Sequence, residues 1–420
     1  MDGRMHRRTA AWACKHVQDP VWRKYITEVS EAGTYPDAYI FGEAAPDKTK
    51  WDKWWRELTL IEHENRMMTI HRVYDTLRLR ETYPEVVRML VRLSLRAFRE
   101  GNEELAVKAG GVLTHLVGDT IQPAHTTDNQ LVTWMWPQAR YNTRFMTHPF
   151  MELTICEIDE SIPYSPVTLG MNDDSFIWRL CERLEKGKMD QRGEIPILMD
   201  ANFAHDTTAA TASAERTALV AAQIDADIFN TLSVLSGRIP GKVEEQVDMT
   251  ELIWTDCDVD NMFNYMPMVN MMPSSSFEHG TLLDIGEGPT RGISILPMMA
   301  QSYMGIRKAE VTYNVRKCGY KYFSCRLGVQ RFASKADVPY TARTNETSVR
   351  FELRLDGKTV WTSKELTDQD PAVPVCIALD DAESLTIYVR DTRGPNALTR
   401  FVYPVIALPM LSGSASENIG

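Results

Sequence analysis

The residues best suited to chemistry lie between Gly110 and His125, in the run Gly-Gly-Val-Leu-Thr-His-Leu-Val-Gly-Asp-Thr-Ile-Gln-Pro-Ala-His. His115 and Asp119 stand four apart in a segment of helical character, so they share a helix face with roughly 5–6 Å between their β-carbons. One metal ion could take both an imidazole nitrogen and a carboxylate oxygen at that separation. Pro123 disfavours helical backbone at Gln122, so the helix is expected to break there. His125 then follows on the exiting loop, near the same face but off it, where it could serve a second metal close by. A further pair, His148 and Glu152, repeats the four-residue spacing downstream. The competing reading is an amphipathic core helix with satisfied histidines, which accounts for one such pair more readily than for two.

His-x3-Asp-x5-His, with glycine before the aspartate and Gln-Pro inside the second gap, then His-x3-Glu, resembles the signature of the zinc-dependent phospholipase C and fungal single-strand nuclease superfamily. The resemblance covers residues 1 to about 260. Members of that superfamily are helical, hold three zinc ions in one cleft and hydrolyse phosphoester bonds. Carried onto this chain, the resemblance implies three metal positions. His6, just behind the chain start and followed by an Ala-Trp-Ala helix, matches the family's early histidine better than His16, which reads as a solvated or capping side chain. Met1 stands where the family has a ligating tryptophan, so a terminal group of Met1 would join His6 and Asp119 on the first metal. Asp37, in the loop Glu31-Ala-Gly-Thr-Tyr-Pro-Asp37, falls where the family places a zinc ligand and candidate general base. Read alone, that Pro-Asp is an ordinary turn. The second metal would take Asp37, His63, His115 and a bridging Asp119, with His71 as the reserve for His63. The third would take His125, His148 and Glu152. A glutamate at 152 leans toward the phospholipase branch. The activity implied is phosphodiester hydrolysis of the phospholipase C type, with a nuclease or other phosphoesterase as the alternative. A reading from a different class is a metal-stabilised carbohydrate-binding protein without turnover.

The elements that must position these residues follow from the rest of the chain. At 420 residues two domains are expected, and 44% hydrophobic with 25% charged residues is an ordinary globular composition. A net charge of -11 argues against a stable nucleic-acid partner, because phosphate binding draws on clustered Lys and Arg. It leaves open a nuclease whose cations are metals. No apolar run approaches the length of a membrane span. The seven cysteines are scattered without C-x-x-C and read as small buried apolar residues. The first residues lack a signal-type apolar core, so the chain is either intracellular or preceded by a leader. The family resemblance favours an extracytoplasmic setting.

Residues 4 to 18 read as a helix with Ala10, Ala11, Trp12 and Ala13 on its apolar side. Trp51, Trp54 and Trp55 could stack on a choline-sized or base-sized group, or serve simply as core. Pro84 to Phe98 forms a packed helix, ended at Glu100-Gly101-Asn102, and Asn102 can cap the motif helix. These two helices are expected to pack together, turning His115 and Asp119 toward a bundle interior. Arg140 and Arg144 could clamp a phosphate or face solvent. Residues 155 to 210 carry little periodic signal and read as irregular, with His205 structural. Ala212 to Leu235 is a long amphipathic helix that closes the bundle.

After Pro240 the pattern changes. Residues 261–274, Met-rich and ending in Pro273-Ser-Ser-Ser, read as a linker. Beyond it Val349, Phe351, Leu353 and Leu355 alternate with polar residues, and Asp356-Gly357 supplies a hairpin turn before Val360 and Trp361. Tyr322-Phe-Ser-Cys-Arg-Leu-Gly-Val329 and Phe351-Glu-Leu-Arg-Leu-Asp-Gly-Lys-Thr-Val-Trp-Thr-Ser363 resemble the NPCBM family of carbohydrate-binding modules. That implies a β-sandwich of the galactose-binding type over residues 275–411, able to hold a glycan, with 412–420 as a flexible tail. The expected fold is therefore multidomain: an all-α metal-binding domain followed by an all-β sandwich.

Overall fold

Side-chain caps open the helices of the N-terminal region that start at Gly3, Pro20, Glu103, Asp173 and Thr207. The computed structural model describes residues 1–36, 79–126, 154–259, 267–273, 280–295, 308–331, 348–392 and 403–415. The chain divides into two compact units, Met1–Glu244 and Glu245–Gly420. In the first, Asp2 accepts the Arg4 amide at 2.8 Å and opens α1 (Gly3–His16). Asp19 caps α2 (Pro20–Lys24), and α3 (Ile26–Ala32) follows directly. Between α4 (Leu79–Arg99) and α5 (Glu103–Ile121), Gly101 turns the chain at φ 79° and Asn102 accepts the Leu105 amide. Asn172 and Ser175 form a reciprocal capping box at the start of α6 (Asp173–Gln191). Then come α7 (Glu194–Ala204) and α8 (Thr207–Leu235), the latter capped by Asp206.

These helices share one core. Trp22, Leu90, Leu95, Leu113, Leu116, Ile121, Phe176 and Phe229 are fully buried, each contributing about 1.5–3 kcal/mol relative to exposure. The Trp22 ring stacks on Phe229 with centroids 4.0 Å apart, and its indole N–H donates to Ser233 Oγ at 2.9 Å. Every residue of α5 from Ala109 to Ile121 is buried, so it is the central rod of the unit. Its glycines allow the close approach. A Cβ on Gly110 would stand 2.9 Å from Trp22 Cη2, and one on Gly111 would stand 2.5 Å from the Val29 carbonyl oxygen. The buried Asp19 carboxylate accepts from Arg238 Nε at 2.7 Å, tying α2 to the chain just beyond α8.

The second unit is antiparallel β throughout its described strands. One sheet runs β12 (Val373–Ala378), β9 (Tyr322–Val329), β14 (Pro404–Ser412), β7 (Gly292–Ser294), β3 (Met268–Val269), with β1 (Gln246–Asp248) also paired to β14. The other runs β11 (Lys358–Thr362), β10 (Val349–Leu355), β13 (Ser384–Asp391), β8 (Lys308–Asn314), β2 (Asp256–Val259). A small third sheet joins β4 (Met271–Pro273), β5 (Gly280–Asp284) and β6 (Pro289–Thr290). Alternate residues are buried, among them Val349, Phe351 and Leu353 on β10 and Leu385, Ile387 and Val389 on β13. Asp356 at φ 50° and Gly357 at φ 75° make the expected hairpin turn between β10 and β11.

Three expectations are corrected. Residues 155–210 are not wholly irregular, since α6 and α7 lie within them. The amphipathic pattern of α6 is diluted because Glu182, Glu185, Lys188 and Gln191 are buried on it, while α7 carries Ile195, Pro196, Ile197, Leu198 and Met199 in one apolar run. The division between units falls after Glu244 rather than at 260, and no linker spans all of 261–274. The reason is pairing: β1 bonds to β14, β2 to β8 and β3 to β7, so these residues already belong to the sheets. Ser412 is likewise the last residue of β14 rather than the start of a tail. Among the described residues, α8 is long and apolar enough to cross a membrane, yet 67% of its apolar window is buried inside the unit. Cys14, Cys156, Cys318 and Cys325 are buried, as small apolar residues would be.

Substituting Gly111→Ala tests the packing of α5. Alanine is favoured in a helix by about 1 kcal/mol, but the atom it meets belongs to the α3 backbone and cannot swing aside. A net loss of about 1–3 kcal/mol is expected, read as a lower urea midpoint. An unchanged or raised midpoint would show that α3 and α5 are not in contact at this point.

Candidate metal centre

The two ends of the site come from different helices. On α5, His115 Nε2 lies 3.0 Å from Asp119 Oδ2, the pair one helical turn apart. On α1, His6 Nε2 lies 3.2 Å from Asp119 Oδ1, and the Met1 amino group lies 2.7 Å from the same oxygen. The two imidazoles stack, with centroids 4.1 Å apart and planes inclined by 24°. One ligand atom from each of His6, His115 and Asp119 falls within 4.8 Å of the others, and all three side chains are buried. Gly118 is what lets α1 come so near. A Cβ there would stand 2.7 Å from both Cε1 and Nδ1 of His6.

Hydrogen bonding fixes which imidazole nitrogen faces the carboxylate. His115 Nδ1 lies 2.8 Å from the Gly33 carbonyl oxygen. A carbonyl can only accept, so Nδ1 carries the proton. In a neutral ring Nε2 then turns its lone pair toward Asp119 Oδ2. Two acceptors 3.0 Å apart in a buried site repel unless a proton or a cation lies between them. This is the second-sphere arrangement that orients a histidine ligand toward a metal. His6 is pushed down to about 3, by burial first and then by the neighbouring His115, so its ring is neutral and can donate a lone pair. Burial would raise the Asp119 carboxyl, but the terminal ammonium and then His115 outweigh it and hold Asp119 well below the usual carboxylate range. Two imidazoles and an ionised carboxylate, dry and convergent, fit a divalent cation such as zinc.

The remaining expected ligands divide into two groups. α5 ends at Ile121 and Gln122 is extended at ψ 124°, as the following proline requires. His125 then closes a 3-10 turn over Pro123–His125 and is buried, but it is not one of the three clustered residues. Asp37, His63, His71, His148 and Glu152 lie outside the described residues, as do Arg140, Arg144 and the three tryptophans 51, 54 and 55. His16 stacks on Trp12 at 3.6 Å and its Nδ1 donates to the Trp12 carbonyl oxygen at 2.9 Å, a helix-end role. His205 is exposed at φ 56° and terminates α7.

Some positioning groups were not legible in the sequence. The Gly33 carbonyl has no side-chain signal, and the steric role of Gly118 depends on where α1 passes. α1 is in turn clamped to the segment that follows residue 153. Arg8 donates to the Cys156 carbonyl oxygen and pairs with Glu157 at 2.7 Å, and Trp12 Nε1 donates to the Asp159 carbonyl oxygen at 3.1 Å.

Comparison with known proteins bears on the two regions separately. Residues 304–403 match the family model described as the NPCBM/NEW2 domain, so the expected resemblance of the β region is borne out over that stretch. No curated protein matches the chain. Among solved structures, the CBM51-2 and INT domains of Clostridium perfringens ZmpB align at 13% identity and TM-score 0.28, over 41% of this chain and 32% of that one. The chain thus spans about a third of that structure. A CBM51 from Clostridium perfringens GH95, in complex with methyl-galactose, aligns at 18% identity and TM-score 0.27, over 40% of this chain and 99% of the other. The alpha-toxin of Clostridium perfringens from avian strain SWCP aligns at 13% identity and TM-score 0.29, over 98% of this chain and 91% of the toxin.

Gly118→Ala tests the close approach of the two helices. The added methyl must displace His6, so zinc affinity is expected to fall about 10–100-fold, as when a supporting contact is lost. Zinc titration with a competing chelator measures it. Unchanged affinity would remove His6 from the ligand set.

Proposed function

We propose that this chain is a metal-dependent phosphodiester hydrolase of the phospholipase C type, carried to its substrate by a glycan-binding β module. The observation that supports it best is the buried convergence of His6, His115 and Asp119, reached in the structure from residues that the family resemblance had singled out. In this reading His6, Asp119 and the Met1 amino group hold one metal, and His115 belongs with the bridging Asp119 to a second. Asp37 and His63 complete the site shared through Asp119, and His125, His148 and Glu152 form a third site. Zinc supplies Lewis-acid polarisation of the phosphoryl group and lowers the pKa of water. The chain itself keeps His6 neutral, fixes the His115 tautomer through Gly33 and maintains Asp119 ionised, the states that metal needs of these three, while the Met1 ammonium must give up its proton on binding. Asp37 is the proposed base. The NPCBM match supports the glycan-binding role of the second unit. A nuclease or another phosphoesterase on the same scaffold is separated from this reading by a substrate panel of phospholipids, single-stranded nucleic acid and soluble diesters.

Asp119→Ala is expected to abolish hydrolysis and to remove about two metals, because a carboxylate shared by a metal pair is lost. Glu152→Ala should remove only one. Metal content by atomic emission, measured beside activity, checks both, and an Asp119 variant with full metal content would overturn the assignment.

Separating the units at Glu244 tests the role of the β module. The first unit alone should still cleave a soluble diester, while activity on an insoluble glycan-bearing substrate falls through loss of local concentration. Equal losses on both would mean that the module completes the active site instead of tethering it.

A further inference from the structure

The interface of α1 with α8 contains a carboxyl that the metal centre does not use. Asp225 on α8 has no solvent exposure, and neither of its oxygens has a hydrogen-bond partner among the described residues. The Thr9 hydroxyl of α1 is the side chain that acts on it, yet that hydroxyl donates to the His6 carbonyl oxygen at 3.1 Å. Cys14, also buried on α1, is held as the thiol chiefly by burial. Asp227, two residues along α8, serves a different contact. It accepts from Tyr164 Oη at 2.8 Å and from the Val167 amide at 2.9 Å, with Arg183 of α6 at 3.9 Å. Among the described residues, no charged side chain of α4, α5, α6 or α7 acts on Asp225, and neither does the cluster of His6, His115 and Asp119.

An isolated carboxylate in a dry interior is costly enough that such a group takes a proton instead. We propose that Asp225 is a proton sensor of the α1–α8 interface, neutral while the helices are packed and ionised when they part. Burial drives the same way, carrying its carboxyl well above the ordinary range against a small opposing effect of Thr9. In the unfolded chain an aspartate ionises near pH 4, with a pKa of about 3.9. The folded unit keeps a proton that the unfolded chain releases. Its contribution to stability is therefore complete below about pH 4 and declines as pH rises toward the folded value. Within that window each pH unit raises the unfolding constant up to about tenfold. Since α1 carries His6, rising pH weakens the packing of the helix that supplies a metal ligand.

The test uses the full chain, unfolded by urea between about pH 5 and pH 8 and followed by helical circular dichroism. Wild type, Asp225→Asn and Asp227→Asn are compared, each in saturating zinc and in chelator, so that proton-coupled metal binding cancels in the difference. The expected result is that Asp225→Asn, the neutral shape-mate, loses part of the pH dependence, its unfolding constant diverging from wild type by up to about tenfold per pH unit. Parallel curves for wild type and Asp225→Asn would overturn the proposal. Should Asp225→Asn fail to fold, the infrared carbonyl band of a protonated carboxyl decides. Its persistence at neutral pH in the folded Asp227→Asn protein supports a neutral Asp225, and its absence there overturns it.

Discussion

A buried carboxylate sets the terms for the helical unit. Asp119 is 2% exposed and lies within 3.2 Å of two imidazoles and an amino group. Leaving that charge uncompensated in the interior would be strongly destabilising, so every element around it is arranged to bring compensating groups close. α5 supplies the carboxylate and one imidazole, α1 supplies the other, and the residue after α3 supplies the carbonyl that orients His115. The site and the core are therefore one structure, with the polar cluster set among the same helices that bury Leu116, Val117 and Ile121.

Close helix approach is what makes that arrangement possible. Gly110, Gly111 and Gly118 lie along α5, and each meets a different neighbour: the Trp22 ring, the Val29 carbonyl and the His6 ring. Glycine inside a helix is unfavourable by roughly 1 kcal/mol relative to alanine. Three of them in the central helix of the core are sustained by the contacts that their missing side chains permit. The acidic residues of α8 show a comparable tension. Asp227 is raised to about 6, chiefly by burial, although it binds the 164–167 segment, and Asp225 has no such partners among the described residues.

The β unit follows simpler rules. Strands β8 and β13 alternate between buried and more open faces while β9 and β14 are buried along most of their length, and β-hairpin chemistry at Asp356-Gly357 sets the register of β10 and β11, with Leu355 opposite Lys358. The early strands β1, β2 and β3 extend the two main sheets beyond the residues that the family model covers, and so the sheets are larger than the repeating sequence pattern suggested.

Local physics was legible in the chain itself. The i, i+4 spacing placed His115 and Asp119 on one face, Pro123 ended α5 at Ile121, Asn102 capped it, and period-two alternation marked β10. The all-α then all-β order followed from the same periodicities. The missed elements had mixed signals, as in α6, where buried Glu182, Glu185 and Lys188 blur the apolar stripe. The boundary was misplaced because β1 and β2 are too short to show a period, and only their pairing with β14 and β8 assigns them. Which histidine meets Asp119 from outside α5, which carbonyl orients His115 and which glycine clears the path are questions about residues as far apart in the chain as His6 and Asp119. A sequence period reports only which face a residue shares with its near neighbours, whereas these contacts depend on where distant helices cross, and that was decided by the packing of the tertiary core.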